Sequence, residues 1–353
     1  MHRGILVVLV FNVVVSTVMV MSSHHWFSVW VGLEINTLSI LPVLCGQFFP
    51  RSVESTVKYF LVQSLSAAMV LNVVIVQAWL YSSWCVVQPL NVFTSLVMVL
   101  AIGLKLGLFP CHYWFPDVVQ GVGFIQGLML STWQKLAPFV VLVYVVGSVN
   151  VVFLGILGVL SVLVGGWGGL NQSQVRKVLA FSSIAHVGWI VSVLGYSVGV
   201  GCVMFFVYII LNTGVFMLGD KFSLKSLASL SRLVFINPVG GFCFLLGVLS
   251  LGGLPPLFGF VMKFLALGCL VSNGVYVVGG FLVMGSLLSL FFYLRIAFNS
   301  SLVLFPQHVL SLFVWRVSGS QGGFSLYSAV LSVFVSVNLL GLSSLSVFLA
   351  FLN

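Results

Sequence analysis

Residues 100–118 read LAIGLKLGLFPCHYWFPDV. An apolar, glycine-bearing run carries a single lysine, Lys105, and then meets Pro110. Proline has no backbone N–H and frees a carbonyl wherever it interrupts a helix. Hydrocarbon offers that carbonyl nothing, so a membrane helix broken here must face protein or a water-lined space. The device recurs at 246–264, LGVLSLGGLPPLFGFVMKF, where Pro255 and Pro256 form the break and Lys263 follows it. Broken helices at corresponding places in two halves of a chain mark inverted-repeat transporters.

The rest of the chain agrees with a membrane setting. Of 353 residues, 61% are hydrophobic and 5% charged, against about 25% charged in a soluble domain. A crossing helix takes roughly 20 apolar residues. The apolar runs predict eleven spans, near 4–21, 26–46, 57–81, 92–120, 122–146, 150–167, 176–196, 199–219, 239–271, 275–296 and 326–350. The fourth and ninth exceed a single crossing and hold the proline breaks; five spans apart, they run in opposite directions. The expected fold is an all-α polytopic membrane protein, a single membrane domain of about eleven transmembrane helices, two of them broken. Spans 1–5 (residues 1–146) and 6–10 (150–296) form two inverted halves. A polar loop at 297–325 and a last helix at 326–350 complete the chain.

The net charge of +9 does not point to nucleic acid, because the basic residues stand singly or in pairs between apolar runs. Threaded through eleven spans, Arg3, Arg51, Lys58, Arg176, Lys177, Lys221, Lys225, Arg232, Arg295 and Arg316 fall on the N-terminal side, and no lysine or arginine falls opposite. The positive-inside rule puts that side in the matrix or cytoplasm and the C-terminus outside. The N-terminal run lacks a small-residue cleavage site and reads as the first span.

The remaining lysines, Lys105, Lys135 and Lys263, lie inside spans, as does Glu34; Asp117 sits near the matrix end of the fourth. A charge at the bilayer centre costs roughly 2.5–3.5 kcal/mol on insertion scales. Snorkelling to the interface is the bland account of such lysines, and Glu34 is too short for it. Lysine taken out of water becomes able to titrate near neutral pH, whereas arginine stays charged. Three lysines and no arginine inside the spans therefore suit a proton relay better than static pairing. Glu34 lies about 12 Å along span 2 and Lys105 about 20 Å along span 4, within reach of each other directly or through one or two waters. His186 is either a shuttle or a hydrogen-bonded core histidine, and Ser182, Ser183 and Asn212 are candidates to line a water wire. His112, Tyr113 and Trp114 read as packing and interface groups.

Other chemistries find little support. The six cysteines lack metal spacing and read as small core residues with no disulfide framework. His24 and His25 are adjacent beside a loop, which does not suit haem. GVGFIQG at 121–127 has the wrong spacing for a dinucleotide fingerprint, and no phosphate-binding loop occurs.

Six segments carry a family resemblance: WVGLEINTLSILP at 30–42, KYFLVQSLSA at 58–67, KLGLFPCHYWFPDVVQG at 105–121, TWQKLAP at 132–138, GGLNQSQVRKVLAFSSIAHVGW at 168–189 and LSLGGLPPLFGFVMKF at 249–264. In this order the chain resembles the antiporter-like membrane subunits of respiratory complex I, specifically the subunit 2 group of mitochondrial NADH–ubiquinone oxidoreductase. Asp117 stands where glutamate is commoner, and 297–325 does not align. The resemblance implies a proton route in which Glu34 and Lys105 interact in a first half-channel, Lys135 links the halves, Lys263 ends the second, and His186 lies on the central axis. It implies that NADH, FMN, the iron–sulfur clusters and ubiquinone belong to partner subunits, with none bound here. It also implies subunits 4L and 4 as neighbours, accessory subunits at the matrix loops, and a multi-pass place in the mitochondrial inner membrane. A stand-alone cation/proton antiporter of this fold would carry fourteen spans, and a purely structural scaffold would gain nothing from four buried charges.

Overall fold

The computed structural model describes residues 3–46, 49–86, 88–227, 229–230, 238–301 and 326–341. In order, the helices are α1 (Arg3–Ser22), α2 (Trp26–Cys45), α3 (Pro50–Tyr81), α4 (Val92–Leu106), α5 (Trp114–Gly121), α6 (Phe124–Ser131), α7 (Trp133–Val146), α8 (Val151–Leu170), α9 (Val175–Leu194), α10 (Val198–Lys221), α11 (Pro238–Gly252), α12 (Phe258–Ser272), α13 (Tyr276–Ser301) and α14 (Leu326–Leu339). A helix keeps its backbone hydrogen bonds within itself, which hydrocarbon demands. Among the described residues, eight spans are long and apolar enough to cross a membrane, α6 and α7 together forming one of them. Helices α4, α11 and α12 are the shorter apolar pieces. Most of the polar loop expected at 297–325, the end of the expected last span, and Arg232 and Arg316 lie outside the described residues.

Both proline-marked breaks close in the same way. Helix α4 ends at Gly107 with φ 76°, and α11 ends at Gly253 with φ 80°. Gly107 N–H bonds Leu104 O while Leu108 N–H reaches back to Gly103 O at 2.8 Å. Gly253 N–H bonds Ser250 O at 3.0 Å while Leu254 N–H reaches Leu249 O at 3.4 Å. This is the Schellman pattern, which needs a left-handed residue that glycine adopts without strain. Pro110 and Pro255–Pro256 then stop the helix from resuming. The sequences LGLFP at 106–110 and GGLPP at 252–256 encode the same turn.

The structure adds an interruption that the sequence reading did not place. The fifth span divides at Thr132 (φ −116°, ψ −72°) into α6 and α7. Thr132 Oγ1 donates to Leu128 O at 2.7 Å, a back-bond that bends helices. Lys135 N–H bonds Thr132 O at 3.2 Å, not the Ser131 carbonyl that a continuous helix would give it. Pro138, inside α7, leaves the Gln134 carbonyl without its helical donor.

Helix α3 starts at Pro50, earlier than the expected residue 57. Proline at the first helical turn costs no hydrogen bond, and Glu54 pairs with Lys58 one turn on at 2.7 Å. Cys85 and Cys111 are exposed, unlike the core cysteines the composition suggested; Cys269 is buried, and all six are free.

Helix α9 is the axis of the bundle. Its apolar stretch is 89% buried, against 22% for α1 and 33% for α13, and it packs on α5, α6, α8, α10, α12 and α13. Small residues allow that density. A Cβ on Gly158 of α8 would lie 2.7 Å from Gly188 O of α9, and one on Gly165 2.9 Å from Phe181 O. The polar residues of α9 therefore sit at the point most distant from lipid.

Candidate functional site

Lys105 occupies the last turn of α4. The negative end of the helix dipole favours a cation there. The residue is 5% exposed, and its Nζ has no hydrogen-bond partner in the structure. It shares a cavity of about 10 Å³ with Asn36, Thr37, Tyr59, Gln63 and Gln134, space for about one water. Tyr59 Oη donates to Gln134 Oε1 at 3.3 Å, and Gln134 Nε2 donates to Asn36 Oδ1 at 3.1 Å. Helices α2, α3 and α7 thus turn polar side chains toward the lysine.

Glu34 of α2 lies beside this cavity. Thr37 Oγ1 donates to Glu34 O at 2.8 Å and contacts Glu34 Oε2 at 3.2 Å. Glu34 and Lys105 do not touch: the two ion pairs among the described residues are Glu54–Lys58 and Asp117–Lys177. Of the two forms the sequence allowed, direct contact or a bridge of one or two waters, the direct contact is not made.

Lys135 is 1% exposed. Its Nζ donates to Ser183 Oγ at 3.2 Å and to Tyr208 Oη at 3.3 Å, and lies 4.5 Å from the centroid of the Phe115 ring. Ser183 Oγ already donates to Ala180 O and Tyr208 Oη to Ser131 O. Both hydroxyls therefore offer the lysine their lone pairs. Among the described residues no carboxylate pairs with it.

His186, one turn beyond Ser182 on α9, faces Tyr208 with ring centroids 5.8 Å apart and reaches the Leu251 backbone. It shares a cavity of about 20 Å³ with Tyr208 and Lys263. Lys263 Nζ donates to Gly252 O at 2.8 Å and so caps the broken end of α11. At the first break the corresponding donor is the Trp114 indole, which bonds Leu104 O at 3.2 Å. One break is held by a neutral ring and leaves its lysine unpartnered; the other is held by the lysine itself.

The structure thus groups Ser183, Asn212, His186 and Lys263 around Lys135 and Tyr208, while Lys105 lines a separate cavity with Thr37, the residue that bonds Glu34. Ser182 spends its hydroxyl on Leu179 O. His112 is buried and bonds Pro110 O through Nδ1, Tyr113 is exposed, and Trp114 caps α4. Tyr208, Gln134 and Tyr59 went unnoticed in the sequence. Tyr208 stands one turn before Asn212, and Gln134 directly precedes Lys135; polar neighbours of a buried lysine were the available signal. Among the described residues no cluster of three or more His, Cys, Asp or Glu could hold a metal.

Comparison with known proteins agrees with this architecture. Residues 23–289 match the model of the NADH:quinone oxidoreductase/Mrp antiporter transmembrane family, and residues 290–347 match that of the NADH dehydrogenase subunit 2 C-terminus. The NADH-ubiquinone oxidoreductase chain 2 of Patiria pectinifera is 66% identical with both chains covered completely. That of Salmo salar is 40% identical over 98% of this chain and 97% of its own. Among solved structures, respiratory complex I from Thermus thermophilus with bound aureothin contains a chain with TM-score 0.82 and 26% identity, covering 98% of this chain and 80% of that one. The Mrp complex from Dietzia sp. DQ12-45-1b shares the fold, with TM-score 0.82 and 17% identity over 96% and 75%. The chain belongs to the NADH:quinone oxidoreductase/Mrp antiporter family of membrane subunits, within its NADH-ubiquinone oxidoreductase chain 2 group, and is thereby a subunit of complex I.

Proposed function

We propose that this chain carries protons across the mitochondrial inner membrane through Glu34, Lys105, Lys135, His186 and Lys263, driven by electron transfer from NADH to ubiquinone elsewhere in complex I. The observation that carries the reading is Lys135, 1% exposed and held by two neutral hydroxyls with no counter-charge. An unpaired buried ammonium is costly, and hydroxyl partners can serve the amine in either protonation state because they both donate and accept. A purely structural lysine would gain from a carboxylate; a relay lysine must be able to release its proton. FMN, the iron–sulfur clusters and the quinone belong to other subunits in this reading. Membrane subunits 4L and 4 are the expected neighbours, with accessory subunits on the matrix loops. The two halves act as inverted repeats, each contributing one broken helix.

Glu34 tests the reading at its entry. Its field reaches Lys105, and its carboxylate, resting on Thr37, sets whether Lys105 holds a proton. Glu34→Gln in the assembled complex keeps the hydrogen bond to Thr37 and removes the charge; NADH-driven proton pumping is expected to fall several-fold. Glu34→Asp keeps the charge on a shorter arm and is expected to retain more activity than Glu34→Gln. Equal rates for the two variants count against the coupling.

Sidedness follows from the basic residues. The segments 47–56 and 220–238 face the matrix in this scheme, and 82–91 and 197–198 face the intermembrane space. Exposed Cys85 is expected to react with an impermeant maleimide from the intermembrane side, and a cysteine placed at Lys225 only after the membrane is opened. The reverse pattern rejects the orientation.

A further inference from the structure

We infer that the Tyr208 hydroxyl is the switch joining Lys135 to His186, and that the Ser131 carbonyl holds the switch closed. The inference rests on the relay reading above and adds to it a residue and a gate. Tyr208 is 3% exposed. Its oxygen donates to Ser131 O at 2.8 Å, and accepts from Lys135 Nζ at 3.3 Å and Asn212 Nδ2 at 3.3 Å. One donor and two acceptor positions are the whole capacity of a phenol oxygen of this kind, and all are in use. Ser131 O is available because of the bend at Thr132: the Lys135 N–H that would have bonded it turns to Thr132 O. The interruption that positions the lysine therefore also supplies the acceptor that locks the tyrosine.

In this arrangement the Tyr208 proton points at a carbonyl that cannot pass a proton on. His186 lies beside the Tyr208 ring, centroids 5.8 Å apart, and the two share with Lys263 a cavity of about 20 Å³ that has room for about one water. Rotation of the hydroxyl about the C–O bond, off Ser131 and into the position that Asn212 Nδ2 gives up, frees it to meet a water in that space. Lys135 then gives one N–H proton to the Tyr208 oxygen while the Tyr208 proton passes through a water to an imidazole nitrogen of His186. Lys135 ends as a neutral amine, Tyr208 stays a neutral phenol, and His186 ends as an imidazolium. A buried phenolate, which would be costly, is never formed.

The test is Tyr208→Phe in the assembled complex, reconstituted in liposomes. Phenylalanine keeps the ring that packs against Phe205 and His186 and removes only the hydroxyl. Assembly is expected to be normal and coupled proton pumping to fall about tenfold, part of the roughly 10²–10⁴ that a proton-transfer group supplies. The ratio of rates in light and heavy water is expected to rise, because proton transfer becomes limiting; a merely structural role leaves that ratio unchanged. Wild-type pumping and isotope ratio in Tyr208→Phe, beside an impaired Lys135→Ala, overturn the switch and spare the relay. Wild-type pumping in both removes the relay reading and the switch with it. If Tyr208→Phe fails to assemble, infrared difference spectra of the native enzyme carrying labelled tyrosine decide: a phenol C–O shift during turnover supports the switch, and unchanged phenol bands overturn it.

Discussion

Gly259→Ala is expected to abolish accumulation of the assembled complex. Gly259 is the second residue of α12, and a Cβ there would sit 1.7 Å from Ser250 O and 2.7 Å from the Ser250 carbonyl carbon. Both atoms belong to backbone, so no side-chain rotation relieves the overlap. Ser250 O is also engaged, since Gly253 N–H bonds it in the turn that ends α11. Accommodating one methyl group therefore means separating α11 from α12 by more than an ångström at the break. Overpacking typically costs about 1–3 kcal/mol and occasionally more; a backbone collision inside a buried break belongs at the upper end. Gly259 and Lys263 are one turn apart and share a face of α12, so the same displacement pulls Lys263 from Gly252 O. Gly280→Ala is the control, because a Cβ there meets nothing within 4 Å. Native gels of the two variants give the result, and wild-type levels of assembled Gly259→Ala complex would falsify the close packing described here.

The two proline breaks and the lysines inside apolar runs were legible in the sequence because each violates a rule of membrane helices. A glycine-bearing apolar run that meets Pro110, or Pro255 and Pro256, reads as a broken helix, and Lys105, Lys135 and Lys263 are charges where apolar residues belong. What stayed hidden depends on geometry that no local pattern records. The bend at Thr132 has neither glycine nor proline at the bend itself; a threonine back-bond and the more distant Pro138 make it. Without that bend, Ser131 has no free carbonyl and Tyr208 is one more aromatic residue in an apolar helix. Whether Glu34 and Lys105 touch was equally out of reach, because counting rises along two helices carries an error larger than a hydrogen bond. The different holding of the two breaks, by Trp114 in one and Lys263 in the other, joins residues ten and eleven positions apart across a turn whose path is set only in three dimensions.

Lys135→Ala is expected to leave an assembled complex that no longer pumps. The side chain is enclosed between Phe115, Ser183 and Tyr208. Truncation opens a cavity, and removing a comparable long side chain from a core costs roughly 2–5 kcal/mol. Two losses are added: contact of the cation with the Phe115 face, about 2 kcal/mol when desolvated, and two hydrogen bonds to hydroxyls. Against these stands the relief of an unpaired buried ammonium, an effective penalty of several kcal/mol. The terms are of similar size and opposite sign, so the fold is expected to persist. Function has no such offset, because Lys135 is the side chain that donates to both Ser183 and Tyr208, and the proposed relay loses its central proton carrier. Coupled pumping and ubiquinone reduction are expected to fall on the order of 10²-fold, the scale of a lost proton-transfer group. Lys135→Met separates charge from volume: it refills the cavity with an unbranched apolar chain and restores no proton carrier. Stability is therefore expected to recover in Lys135→Met while pumping stays as low as in Lys135→Ala. Recovery of pumping in the methionine variant would show that Lys135 acts through packing, and the relay would have to run by another path.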